Sequence, residues 1–202
     1  MARPRKDEAI DIKAGALAAA IEILREDPEG LSLAAIARRV GCSAPALYAH
    51  FEGKDDLLDQ TRAAACAQMM EAKRQRFAGF DGDPCVRLRA GGRDYVTFAR
   101  DNPALYRLIF APRHALADEP GISLSDAAIA PLVAGVRAAQ PSGFAAGAEA
   151  TEVAHMMWFA VHGAIMMALD RQLPGPEAAR WQRALATVDT VMALLAPNPG
   201  KE

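Results

Sequence analysis

The stretch that decides the fold runs from residue 31 to residue 58 and reads LSLAAIARRVGCSAPALYAHFEGKDDLL. Ser32 stands where an N-cap residue would open a short helix over residues 33–40, because its hydroxyl can accept a hydrogen bond from the first turn. Gly41 follows this helix, at a place where a tight turn needs a positive φ angle. The pattern therefore predicts a short helix that ends in a glycine turn.

A second short helix is predicted from Ala44 to about Phe51. Ser43 is positioned to cap it, and Pro45 is tolerated in a first turn, where backbone N–H groups lack helical partners. Leu47 is expected to point into the core. Two short helices that are joined by about three residues, with glycine in the turn, form the helix-turn-helix pattern.

Length and composition limit the class of protein. The chain has 202 residues, of which 51% are hydrophobic and 24% charged, so it can bury one large core or two small ones. Three scattered cysteines do not make a disulfide framework, and the charged N-terminus does not resemble a secretion signal, so we expect a cytoplasmic protein. The 17 residues from Val153 to Leu169 carry no charge, and we expect a helix buried in protein rather than a membrane span.

The pattern along the chain is helical almost throughout, with turns marked by proline and glycine. We predict an all-α fold, with an N-terminal three-helix bundle that contains the helix-turn-helix and a larger C-terminal helical domain. The predicted boundaries are residues 1–60 and 61–202.

Charge does not by itself indicate a nucleic-acid partner. The formal net charge is −2, and residues 1–60 hold 8 Lys and Arg against 11 Asp and Glu. DNA binding would have to rest on locally placed cations, with the acidic residues turned away from the DNA.

The second helix of a helix-turn-helix enters the major groove with its N-terminal residues at the base edges. Ser43 is the nearest polar reader, whereas Ala44, Pro45 and Ala46 can make only apolar contacts, such as those with thymine methyl groups. Base discrimination is therefore expected to be shared with other cations. The candidates are Arg38, Arg39 and an N-terminal arm that contains Arg3, Arg5 and Lys6.

The same stretch closely resembles the DNA-binding segment of the TetR (tetracycline-repressor-like) family of bacterial regulators. That family typically has a small-residue helix, a glycine turn, a second helix ending in Tyr-x-His-Phe, and a lysine that opens the next helix. Here the matching residues are Ala37, Gly41, Tyr48, His50, Phe51 and Lys54. Gly53 departs from the pattern, because the family often has a capping serine there.

The resemblance implies that Tyr48, His50 and Lys54 contact DNA phosphates. For two of these residues the alternative to a phosphate contact is a structural role. The Tyr48 ring would then lie in the core of the small domain, and His50 would be a solvated residue at a helix end. Phe51 and Leu47 are expected to be core residues.

The C-terminal part resembles the ligand-binding and dimerisation domain of the same family. The resemblance rests on Val161-His162-Gly163 after Trp158, on Tyr95-x-x-Phe98-Ala99, and on Asn102-Pro103-x-x-Tyr106-x-x-x-Phe110. Aromatic and thioether side chains of the middle helices are candidates to line an apolar pocket. They are Tyr95, Phe98, Tyr106, Met156, Trp158, Phe159, His162 and Met166. The alternative is ordinary core packing.

The helix around Trp158 is apolar on nearly every face, so a second subunit is expected to cover part of it, with the last helix completing a four-helix interface. Metal and catalytic patterns are weak. His155 and His162 lie two turns apart with no third ligand between them, and Cys42, Cys66 and Cys85 form no paired motif. No cofactor, metal or membrane partner is predicted, and the chain is not expected to be an enzyme.

The sequence thus predicts a homodimeric transcriptional repressor that leaves a palindromic double-stranded DNA operator when a small-molecule effector binds. The alternative is an all-helical small-molecule binder or enzyme whose N-terminal domain no longer reads DNA.

Overall fold

The computed structural model describes residues 11–111 and 124–197, and in these ranges the chain folds into α-helices without a strand. The helices are α1 (Ile12–Glu26), α2 (Leu33–Val40), α3 (Ala44–Tyr48), α4 (Lys54–Arg76), α5 (Pro84–Asp101), α6 (Pro103–Phe110), α7 (Leu124–Ala139), α8 (Ala150–Leu169) and α9 (Glu177–Leu195). The predicted all-α fold class is confirmed. Arg3, Arg5 and Lys6, the predicted N-terminal arm, lie outside the described residues.

The helices form two compact units. The first unit contains α1 to α3, α4 as far as Met69, and α6 from Ala104 onward. The second unit contains the end of α4 from Met70, then α5, α7, α8 and α9. The division into folding domains at residues 1–60 and 61–202 stays a prediction.

The core of the first unit is made of small and branched apolar side chains from α1 to α4. Alanines allow the three short helices to approach closely, and Leu47 and Phe51 fill the space between them as predicted. The buried set is Ala16, Ala19, Ala20, Ile23, Ile36, Ala37, Leu47, Phe51 and Leu57.

The second unit is organised around α8, which packs against α5, α7 and α9. Its inward face consists of Val153, Ala154, Met157, Val161, Ile165 and Ala168. Among the described residues, α8 is one helix that is long and apolar enough to span a membrane by length and composition. Its packing against three neighbouring helices agrees with the expected role as a core helix.

Candidate functional site

The helix-turn-helix forms as predicted at its first helix and turn. The Ser32 side chain accepts a hydrogen bond from the backbone N–H of Ala35 over 3.1 Å, so Ser32 caps α2. Gly41 ends the helix at φ 78°, and its N–H donates to the carbonyl of Ala37 over 2.9 Å. The left-handed turn therefore redirects the chain within the three residues that separate α2 from α3.

The second helix differs from its prediction in two respects. Ser43 occupies the N-cap position, yet its side chain makes no capping hydrogen bond. The reason is local: Pro45 has no N–H to donate, and the N–H of Ala46 already bonds to the Ser43 carbonyl over 2.9 Å. The helix also ends at Tyr48 rather than near Phe51, as the N–H groups of His50 and Phe51 both donate to the carbonyl of Leu47. The Ser43 hydroxyl is thereby left for solvent or a partner.

The side chains of α3 divide sharply between the core and the surface. Leu47 is 1% exposed, whereas its neighbour Tyr48 is 57% exposed, so the Tyr48 ring does not pack in the core of the small unit. All nine predicted DNA contacts are exposed or half-buried. They are Arg38, Arg39, Ser43, Ala44, Pro45, Ala46, Tyr48, His50 and Lys54.

The two arginines at the end of α2 have different surroundings. The Arg39 guanidinium lies 2.6 Å from the Glu26 carboxylate and 3.8 Å from that of Glu22, both on α1. The hydrogen bond to Glu26, supported by the charges of both glutamates, raises the pKa of Arg39. Arg38 has no ion-pair partner in the part of the chain that the structure describes, so its charge is the more available of the two. Glu22 and Glu26 are four residues apart, so both carboxylates lie on one face of α1 and can approach the same cation. This spacing could have indicated that Arg39 is paired.

The start of α4 carries both a cation and exposed carboxylates. Lys54 is the first residue of the helix, and Gly53 supplies no capping side chain. Asp56 fixes the connection before the helix, because its carboxylate accepts the N–H of Glu52 over 3.0 Å. Hydrogen bonds from Gln60 and from this backbone N–H lower the pKa of Asp56. Glu52 and Asp55 are exposed near Lys54. That the acidic residues turn away from the DNA stays a prediction.

In the second unit, three of the predicted pocket residues form a hydrogen-bonded chain between α5 and α8. The Trp158 indole N–H donates to the Tyr95 hydroxyl over 3.1 Å, and that hydroxyl lies 3.3 Å from Nδ1 of His162. Since the indole can only donate, the tyrosine hydroxyl accepts from it, and the imidazole tautomer sets the direction of the hydrogen bond between that hydroxyl and Nδ1 of His162. Burial lowers the pKa of His162, which favours the neutral imidazole.

The other predicted pocket residues are spread over several environments. Phe98 and Met166 are half-buried in the second unit. Tyr106 is fully buried in the first unit, where its ring lies 4.7 Å from that of Phe110. Met156 and Phe159 face solvent on α8, at 47% and 60% exposure, so a pocket role for them stays a prediction.

The sequence models of two families match the chain. "Bacterial regulatory proteins, tetR family" matches residues 16–61, from α1 into α4. "Tetracyclin repressor-like, C-terminal domain" matches residues 88–188, from α5 into α9. The chain belongs to the tetR family. It is accordingly a DNA-binding transcriptional regulator, and members of its family generally are not enzymes.

Solved structures reproduce the same architecture. A TetR-family transcriptional regulator from Pectobacterium atrosepticum is 18% identical, with a TM-score of 0.75 over 97% of this chain and 100% of that one. A protein of unknown function from Rhodococcus sp. RHA1 is 24% identical, with a TM-score of 0.74 over 96% and 100%. A TetR transcriptional regulator from Streptomyces coelicolor is 22% identical, with a TM-score of 0.61 over 92% and 99%. These likenesses concern the fold alone. No curated protein sequence matches the chain.

Membership of the tetR family agrees with the exposed polar side chains of the first unit and with the hydrogen-bonded aromatic side chains of the second. TetR-family regulators bind DNA and small-molecule effectors and form dimers. The residues that carry the N-terminal resemblance lie in α2, α3, the start of α4 and their connections, where Tyr48, His50 and Lys54 are exposed. Among the described residues, no group of three or more His, Cys, Asp or Glu is placed to hold a metal ion.

Proposed function

We propose that this tetR-family regulator is a cytoplasmic homodimeric repressor, which binds a palindromic operator and is released from it by a small molecule. The observation that carries the proposal is the two-sidedness of α3, with Leu47 buried and Tyr48 exposed beside it. A helix that is anchored by one side chain and presents its neighbours outward has the form that major-groove insertion requires.

The proposed DNA contacts are of two kinds, contacts to base edges and contacts to phosphates. Ser43, Ala44, Pro45 and Ala46 face the base edges, and the serine hydroxyl is the one side-chain hydrogen-bonding group among them. Tyr48, His50 and Lys54 hold phosphates, and Arg38 adds a cation at the end of α2. Arg39 contributes less, because Glu26 already holds its guanidinium. Such an interface favours sites that are rich in thymine methyl groups at the positions beneath α3.

The proposed dimer is held together by the outer face of α8. Met156, Phe159 and Met167 are exposed there, and they follow helical spacing along one side. Gly163 lies between them, and a Cβ atom built on it would meet nothing within 4 Å, which leaves room for a second helix. On α9, Leu194 is 80% exposed. A second copy of the chain would cover these apolar groups symmetrically.

The proposed effector site is the space around the hydrogen-bonded chain of Tyr95, Trp158 and His162. Its three side chains are half-buried and carry a few polar atoms on aromatic rings, a combination that orients a small ligand inside a mainly apolar pocket. Ligand binding there would change the separation of the two recognition helices in the dimer. Coupling between such sites typically amounts to about 1–3 kcal/mol.

Selection of bound sequences from random double-stranded DNA by the full-length protein tests the proposal. We expect an inverted repeat, and an electrophoretic shift that excess repeat abolishes while random competitor does not. The matched variant pair is Tyr48→Ala, which should weaken the shift, and Tyr95→Phe, which should leave it intact. Failure to enrich any sequence would favour the rival function, a helical small-molecule binder that no longer reads DNA.

A further inference from the structure

A small cavity in the second unit lies where the end of α5, the end of α8 and the start of α9 meet. Its volume is about 140 Å³, and three arginines line it: Arg100, Arg171 and Arg180. Glu177 is the acidic residue in the lining. We call this the arginine cavity, and it contains none of the residues predicted to bind DNA or effector.

Several N–H donors of the guanidinium groups around the cavity have no acceptor among the described residues. The Arg180 Nη1 atom donates to the Gly175 carbonyl over 2.9 Å, but its buried Nε has no acceptor among the described residues. Arg171 makes no side-chain hydrogen bond or ion pair within the same ranges. Arg100 is held by Asp101, which engages its Nε and Nη2 atoms. A buried donor without an acceptor is unfavourable, so a ligand that supplies oxygen atoms would be stabilised here.

The backbone around Arg171 is unusual for an arginine. Arg171 adopts φ 58°, and the N–H of Gln172 donates to the Met167 carbonyl over 2.9 Å. This is the helix-ending motif in which glycine normally occupies the left-handed position. The chain holds a long cationic side chain at a place where glycine would be less strained, and that side chain borders the cavity.

The first turn of α9 borders the cavity through Glu177 and Arg180. Pro176 is its N-cap and provides no side-chain acceptor, so the helix begins without a capping carboxylate or hydroxyl from that residue. The N-terminal end of a helix carries a partial positive charge that favours anions. Glu177 is partly engaged by the Trp181 indole N–H, at 3.4 Å. Asp101 pairs with Arg100 and Glu177 offsets a second arginine, so the three arginines leave the lining with one excess positive charge.

We propose that the arginine cavity binds a phosphate-type oxyanion, either as free inorganic phosphate or as the phosphoryl group of a small phosphomonoester. Guanidinium forks match the oxygen spacing of such groups, and a volume of about 140 Å³ accommodates an oxyanion with a few attached atoms. This site goes beyond the proposed repressor function and does not depend on it. Its occupant would bind whether or not DNA is present.

Calorimetric titration of the full-length protein with inorganic phosphate, at constant ionic strength, tests the inference. We expect saturable binding of one phosphate per protomer. Arg171→Gly should weaken it at least tenfold while leaving the melting temperature unchanged or raised, since it removes the strained backbone position. Arg180→Gln should weaken binding similarly, whereas Arg183→Gln, on the exposed side of α9, should retain it.

Glycerol phosphate titrated in the same way distinguishes the two sources. Tighter binding than inorganic phosphate would indicate a phosphoryl group on a larger molecule, and equal or weaker binding would indicate the free ion. Heat that fails to saturate, or that is identical in the parent, Arg171→Gly and Arg183→Gln proteins, would overturn the inference. Operator binding is measured separately, so loss of one proposal leaves the other standing.

Discussion

Gly41 shows how a single backbone angle fixes the geometry of the DNA-reading unit. A Cβ atom built on it would meet nothing within 4 Å, so any penalty for a side chain there comes from φ 78° rather than from crowding. We expect Gly41→Val to lower the free energy of unfolding by about 1–2 kcal/mol, because a β-branched residue is unfavourable in the left-handed region. Urea denaturation measures the loss. Gly41→Asn is the matched control and should lose less, because asparagine tolerates this region. Equal stability of the valine variant and the parent would contradict the turn.

His162 provides a pH-dependent contribution to stability. Burial lowers the pKa of the folded imidazole below its usual value of 6.5, so below that pH the unfolded chain takes up the proton more readily. The stabilisation is therefore present above about pH 6.5 and decreases as the pH falls toward the folded pKa. His162→Gln should flatten the dependence of the melting temperature on pH between 7 and 5. An unchanged slope in His162→Gln would show that the imidazole is not buried as described.

At the scale of the element, the proposed phosphate contact at the start of α4 predicts how DNA binding responds to salt. Lys54 is exposed at the helix N-terminus, and a phosphate contact there carries no base information. Lys54→Ala should weaken binding several-fold on all DNA sequences and reduce the salt slope by about 0.9, as expected for one fewer phosphate neutralised. Glu52→Gln, which removes an exposed carboxylate nearby, should act in the opposite direction. Fluorescence anisotropy at several salt concentrations measures both. A sequence-selective loss with an unchanged slope would contradict the role of Lys54.

The elements also show what the sequence could and could not predict. The first helix and the turn, residues 31–42, were predictable because each local rule agrees there: the Ser32 cap and the glycine turn are confirmed, as is the buried Leu47 of α3. The Ser43 cap failed because Pro45 and the turn-like bond of Ala46 remove the N–H groups it needs. The exposure of Phe159 could not be predicted, because α8 is apolar on nearly every face. Such a pattern does not distinguish a face that packs within the protomer from one that a partner would cover. The arginine cavity joins residues that are distant in sequence, so no local pattern indicated it.

At the scale of the whole molecule, two-fold symmetry is what gives the proposed operator its form. One helix-turn-helix reads too few base pairs for a unique site, and dimers bind half-sites one helical turn or a multiple of it apart. Only 33% of the most apolar window of α8 is buried within the protomer, which leaves an apolar face that residues 11–111 and 124–197 do not cover. The free energy gained by covering that face would link the two DNA-reading units.

Phe159 lies at 60% exposure in the middle of that face, so it is the residue to test. In a symmetric interface each substitution occurs twice, and Phe159→Glu would place two carboxylates in the same apolar contact. We expect the variant to sediment as a monomer at micromolar concentration and to bind the full inverted repeat at least tenfold more weakly. Its helical content and its weak binding to a single half-site should be retained.

Val86→Glu is the matched control, since Val86 is an apolar residue of α5 with 56% exposure. It should remain a dimer with parent affinity. A Phe159→Glu protein that sediments as the parent does would place the dimer interface elsewhere.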